Sequence, residues 1–200
     1  MKNIARFGGT FNPVHLGHKK LLESVMKAVD FEKVIILPDR IPPHKQAVDL
    51  ASGRDRLNMC RLSFGDIPKV EISDWELNNH GKSYSVVALR HFHQKYPDDK
   101  LFFVMGSDML LSFHEWYCYE EILSLASIIC ISRKSDDTEK RLSDYAVKLT
   151  EKAGEVIILN AEPFEISSSE IRQRLKNGED CSCYLDKNVV QYISENNLYL

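Results

Sequence analysis

Apolar residues along the chain alternate between two spacings. Short apolar runs, the length of buried strands, predict strands over Lys2–Phe7, Lys33–Pro38, Lys69–Ser73, Lys100–Met105, Ser127–Ser132 and Glu155–Asn160. Between them the spacing turns helical. Leu21, Leu22, Val25, Met26 and Val29 predict a helix over Leu16–Val29. Further helices are predicted over Ser52–Phe64 with Ser52 as its cap, and over Ser83–Tyr96, ended by Pro97. Others follow at Asp108–Phe113, Tyr117–Leu125, Asp136–Lys152, Ser167–Lys176 and Asp186–Glu195. The loop Asp39–Ala51 carries Pro42-Pro43-His44-Lys45. This alternation predicts an α/β fold with a doubly wound, mostly parallel sheet, built as a single domain over residues 1–200. Ligands of such sheets bind beyond the carboxyl ends of the strands. The segments expected to converge there are Gly8–His18, Asp39–Lys45, Asp74–Gly81, Gly106–Trp116, Arg133–Lys134 and Ile166–Ser169.

The first of these segments holds the densest chemistry. Gly8-Gly9-Thr10-Phe11 ends the first strand and His15-Leu16-Gly17-His18 opens the first helix. Backbone N–H groups at such a junction face an anion, helped by the positive end of the helix. Two histidines three residues apart share a face of the first turn and add donors to that cup. The pattern is a phosphate site distinct from the two common fingerprints. No G-x-x-x-x-G-K-[ST] occurs, and Gly8-Gly9 lacks the third glycine of the dinucleotide motif.

Composition narrows the partners. A net charge of −3 gives no basic field of the kind nucleic-acid binders use, so anions must be held by local groups. The 44% hydrophobic and 28% charged fractions are ordinary for a soluble globular protein. Five cysteines with no repeated C-x-x-C read as free thiols. No apolar run approaches the roughly 20 residues of a membrane span, and no signal peptide is visible. The expectation is a cytoplasmic protein that binds neither membrane nor nucleic acid. Oligomeric state is left open, a homo-oligomer included.

A second anchor lies near the end of the chain, at Ile166-Ser167-Ser168-Ser169-Glu170-Ile171-Arg172. Hydroxyls at a helix start cap its free N–H groups, and Glu170 is placed to complete a capping box with Ser167. Arg172, one turn in, adds a charge suited to gripping polyphosphate.

With both anchors, the chain resembles nucleotidyltransferases that carry H-x-G-H near the start and I-S-S-T-x-I-R near the end. Within that superfamily it is similar to the bacterial nicotinate-nucleotide adenylyltransferases. The resemblance spans essentially the whole chain, through Pro42-Pro43-His44-Lys45, Ser83-Tyr84-Ser85, Gly106-Ser107-Asp108, Trp116 and Arg133 as well. It departs where the family often has Asp for Asn12, Thr for Ser85 and Thr for Ser169.

The resemblance implies a Rossmann-like nucleotidyltransferase fold. The implied reaction joins ATP and nicotinate mononucleotide to give nicotinate adenine dinucleotide and pyrophosphate, in NAD biosynthesis. His15, His18, Lys45 and Arg172 would act at the phosphates. Gly8, Gly9, Thr10, Phe11, Gly106, Ser107, Asp108, Ile166, Ser167 and Ser168 would hold ATP, with Asp108 on the ribose. Lys45, Tyr84, Ser85, Trp116 and Arg133 would hold the mononucleotide, with Trp116 against the pyridine ring. Mg²⁺ would arrive on the ATP phosphates without protein ligands. The competing readings are AMP or CMP transfer to another small phosphate and, from a different class, a non-catalytic nucleotide sensor. An aminoacyl-tRNA synthetase is excluded by length and by the missing Lys-Met-Ser-Lys-Ser loop.

Overall fold

The computed structural model describes residues 1–40, 49–79, 83–133, 136–152, 154–161 and 166–200, without the side chains of residues 133, 136–139 and 152. The alternating pattern opens as β1 (Asn3–Gly9), α1 (Leu16–Ala28), β2 (Lys33–Pro38), α2 (Gly53–Phe64), β3 (Val70–Ile72) and α3 (Trp75–Asn78). It continues with α4 (Ser85–Lys95), β4 (Lys100–Gly106), α5 (Ser107–Leu111), a 3-10 turn (Phe113–Glu115) and α6 (Tyr119–Leu125). Then come β5 (Ser127–Arg133), α7 (Asp136–Lys152), β6 (Val156–Ala161), α8 (Ser168–Lys176) and α9 (Lys187–Glu195).

Two details differ from the sequence expectation. The helix expected over 108–113 stops at Leu111, and a separate 3-10 turn follows with Phe113 fully buried. The four-residue α3 was not foreseen. So short a segment carries no periodicity to read.

The six strands lie in the order β3-β2-β1-β4-β5-β6. The pairs β1–β4, β4–β5 and β5–β6 run parallel. Val34–Leu37 of β2 and Leu101–Met105 of β4 are buried throughout. That is why these strands read as unbroken apolar runs: a parallel sheet is covered on both faces. The order reverses between β1 and β4, whose carboxyl ends lead into Gly8–His18 and Gly106-Ser107-Asp108 respectively.

Residue contacts group the chain into two compact units. One comprises Met1–Phe7, Glu23–Ile35 and Tyr84–Pro163, and the other Gly8–Leu22, Ile36–Ser83 and Phe164–Leu200. The first has its core at Ile4, Phe102, Val104, Ile129, Leu89 and Leu123, the second at Val14, Leu22, Met59, Phe64, Ile171 and Val189. All five cysteines are free thiols. Among the described residues no helix is long and apolar enough to cross a membrane.

Candidate active site

The second unit holds the histidine segment, and its geometry begins at Gly9. A Cβ there would stand 3.2 Å from the Phe11 ring, so a side chain would push that ring out of place. Phe11, expected at the nucleotide, is only 2% exposed and adopts a left-handed φ of 49°. Its ring meets those of His18 and Phe64 edge-on, with centroids 5.1 and 5.9 Å away. Its side chain is therefore the wall behind His18, and only its main chain remains for a ligand.

His15 sits just before α1 and His18 in its first turn, with ring centroids 3.8 Å apart. The shared face read from the sequence is present. The His15 N–H donates to His18 Nδ1 at 3.2 Å. This is one half of a capping box, with a ring nitrogen in place of the usual glutamate. With Nδ1 accepting, the ring proton of His18 lies on Nε2, which becomes a donor.

At α8 the three serines have separate duties. Ser167 caps the helix by accepting from the Glu170 N–H at 3.1 Å. Ser168 donates to the Pro13 carbonyl at 3.0 Å, and Ser169 accepts from Arg172 at 3.3 Å. The hydroxyls of Ser167 and Ser168, expected on ATP, are thus engaged within the protein. What α8 offers an anion is the backbone of its first turn. Ile166, also expected at the nucleotide, is 5% exposed and buries its side chain. The reciprocal half of the capping box is not made, because the Glu170 carboxylate pairs with Arg174 at 3.1 Å instead.

Arg172 donates through Nη1 to the Asn12 carbonyl at 2.8 Å and through Nη2 to Ser169. Its Nε is buried with no partner among the described residues. A guanidinium has five N–H donors; with two bonded and the Nε one enclosed, two on the terminal nitrogens remain for a ligand.

Sequence reasoning missed the scaffold beneath this segment. Arg56 is 1% exposed, and its guanidinium reaches the carbonyls of Asp39 (2.7 Å), Thr10 (2.8 Å), Ala51 (3.1 Å) and Arg40 (3.5 Å). Burial pushes its pKa down, opposed by the charge of Asp39. Asn12 is equally engaged. Its amide donates to the Asp49 carbonyl at 2.9 Å and accepts from the Ala51 N–H at 3.0 Å and the Tyr199 hydroxyl at 2.7 Å. Lys45 lies outside the described residues.

The first unit holds the remaining candidates. Tyr84 precedes α4 in the capping position without a side-chain cap bond, and Ser85 is the first helical residue. The Tyr84 ring also lies tilted against that of Tyr117, with ring centroids 5.0 Å apart. Beneath Ser85 lies Arg6, which the sequence reading passed over. Its buried guanidinium sits 4.7 Å above the Phe103 ring and reaches Ser85 Oγ at 3.5 Å. Trp116 ends the 3-10 turn, half-buried, its ring tilted against Phe103 and Phe113. Gly106 is the capping residue of α5, with open space where a Cβ would be. The Asp108 carboxylate is exposed and accepts from the buried Ser107 hydroxyl at 3.2 Å. Asp108 therefore does not cap α5. Arg133 ends β5, and its side chain is outside the description.

Known proteins match along the whole of this framework. The cytidylyltransferase-like family model matches residues 6–174. A Fusobacterium nucleatum protein named "Probable nicotinate-nucleotide adenylyltransferase" is 38% identical, over 96% of this chain and 97% of its own. The nicotinate-nucleotide adenylyltransferase of Escherichia coli O6:H1 is 34% identical, over 100% of both chains. The fold is matched by Plasmodium falciparum nicotinic acid mononucleotide adenylyltransferase complexed with NaAD. That structure gives a TM-score of 0.79 at 22% identity, covering 100% of this chain and 98% of that one. A parallel sheet with the histidine segment after β1 and the serine-capped α8 near the end accords with these matches: the chain belongs to the cytidylyltransferase-like family, among the nicotinate-nucleotide adenylyltransferases.

Proposed function

We propose that this protein transfers the adenylyl group of ATP to nicotinate mononucleotide, forming nicotinate adenine dinucleotide and releasing pyrophosphate, as a step of NAD biosynthesis. A phosphate oxygen of the mononucleotide attacks the α-phosphorus. The bond from that phosphorus to the bridging oxygen breaks, and its electron pair leaves with pyrophosphate. The nucleophile is already an anion near neutral pH, so no general base is required. Alignment and charge stabilisation carry the catalysis.

The observation that carries this reading is the His15–His18 bond, which commits His18 Nε2 to donating. That donor serves the α-phosphate, with His15 beside it. The outer phosphates fall to the two remaining terminal N–H groups of Arg172 and to the start of α8. Lys45 is assigned to the phosphates by the resemblance. Gly8, Gly9 and Thr10 serve ATP through their main chain, and Asp108 serves the ribose hydroxyls. Asn12 is not assigned to the metal, since its amide oxygen already accepts two hydrogen bonds within the protein. Among the described residues no three His, Cys, Asp or Glu side chains form a metal cluster. Magnesium, bound through the triphosphate and water, would supply charge neutralisation there. Pyrophosphate release from ATP with nicotinate mononucleotide is the direct test. Release with phosphopantetheine or a cytidine substrate instead would redirect the assignment.

Arg172→Ala is expected to weaken ATP binding about 10- to 100-fold, the equivalent of about 1.5–3 kcal/mol for charge-assisted hydrogen bonds. Titration with ATP checks it, and an unchanged affinity would remove the clamp.

Substrate choice is assigned to the start of α4. A nicotinate carboxylate gains from N–H donors there, and the buried charge of Arg6 adds to the attraction. A nicotinamide presents an NH₂ that faces the same donors unfavourably. Trp116 contacts the pyridine ring, which is alike in both. Trp116→Ala should therefore impair both mononucleotides while preserving the preference for the acid. Specificity constants measured side by side decide it, and equal use of both by the unsubstituted protein would defeat the nicotinate assignment.

A further inference from the structure

We propose that Tyr199, in the segment after α9, is a positioning residue for ATP, holding Asn12 so that Arg172 is aimed at the phosphates. The proposal rests on the clamp role given to Arg172 above. Tyr199 is 8% exposed, and its hydroxyl donates to Asn12 Oδ1 at 2.7 Å. The same oxygen accepts from the Ala51 N–H at 3.0 Å, while the amide nitrogen donates to the Asp49 carbonyl at 2.9 Å. All the orienting bonds of the Asn12 side chain are thus directed inward. Its main-chain carbonyl is then fixed, and that carbonyl accepts from Arg172 Nη1 at 2.8 Å. One residue connects a buried phenol to the guanidinium.

Three further features fit this relay. Burial pushes the Tyr199 phenol above its ordinary range, against the opposing charges of Arg172 and Arg56, so it stays protonated and remains a donor. Tyr199 also adopts φ 64°, a left-handed conformation that a bulky residue rarely takes without a tertiary contact to hold it. The third feature is the choice of asparagine at position 12. The relay uses the amide as donor and acceptor at once, whereas a carboxylate would set an oxygen against the Asp49 carbonyl. This accounts for Asn12 where the resembling family often has aspartate.

A double-mutant cycle on the full chain tests the relay, with ATP affinity measured by titration calorimetry. Tyr199→Phe removes one oxygen atom and leaves the ring to fill its site. It is expected to weaken ATP binding about fivefold in the unsubstituted background and less than about twofold in the Arg172→Ala background. Asn12→Ala, which removes the side chain that Tyr199 holds, should weaken ATP to a similar degree and make Tyr199→Phe silent. A merely structural tyrosine would lower the melting temperature and act alike in both backgrounds. Equal losses with and without Arg172, or ATP affinity untouched by both Tyr199→Phe and Asn12→Ala, would overturn the proposal. The reaction is tested separately by pyrophosphate release from the unsubstituted protein. Its absence would remove the assigned function, while the affinity cycle would still decide the relay.

Discussion

His18→Ala is expected to lower turnover about 10²- to 10³-fold, the usual effect of removing one preorganised donor from a transition state. The structure separates this loss from any loss of fold. His18 has two duties: Nδ1 caps the His15 N–H, and Nε2 is left as the donor. Removing the cap costs about 0.5–2 kcal/mol, which in a chain of this size lowers the melting temperature by only a few degrees. His18→Gln divides the two duties, since glutamine is a natural residue at this position of a capping box. Its carbonyl oxygen can take the His15 N–H and restore the melting temperature. Its amide cannot hold a donor where the imidazole Nε2 stands, so turnover should stay at least about tenfold down. Initial rates of pyrophosphate release, with thermal melts of the same preparations, decide the matter. Near-normal turnover in His18→Ala would end the assigned role.

What the sequence made legible was what local chemistry determines. The apolar runs of β2 and β4 were plain because both faces of those strands are buried, and Ser52 and Ser167 announced their helices by capping them. His15 and His18 could be paired from spacing alone, because three residues is one helical turn. Competition between local options was harder to foresee. Glu170 had two partners within reach, and Arg174, one turn on, prevailed over the capping box. Long-range engagements left no trace in any local pattern. Asn12 meets Tyr199 across 187 positions, and Arg56 reaches Thr10 across 46. The inward turn of the Phe11 and Ile166 side chains was hidden for a related reason. They lie within recognisable motifs, yet a motif records position along the chain and not which way a side chain turns. Arg6 was hidden by its place in a strand that reads as core, where a buried guanidinium needs a ring face and a hydroxyl that no spacing rule supplies.

Arg56→Met should be among the most destabilising single changes in the second unit, and the reason is a matter of unmet acceptors. The guanidinium has four carbonyls around it, three of them at 2.7–3.1 Å. A methionine fills much of the volume and supplies no donor. Each buried carbonyl left without one costs about 1–3 kcal/mol, and rehydration can relieve only some of them, so a loss of about 3 kcal/mol is expected. That corresponds to a melting temperature lower by about 6–12 °C. Arg56→Lys should recover only part of this, because a single ammonium cannot span carbonyls arranged around a planar fork. The carbonyls belong to Thr10, Asp39, Arg40 and Ala51, so their release loosens the segment that leads into His15 and the residues that hold Asn12. A fall in kcat/KM should therefore accompany the fall in stability, and it should persist at temperatures where the variant is fully folded. Thermal melts and low-temperature kinetics of both variants separate these effects. An unchanged melting temperature in Arg56→Met would show that water replaces the guanidinium without penalty, and that the phosphate segment holds its shape unaided.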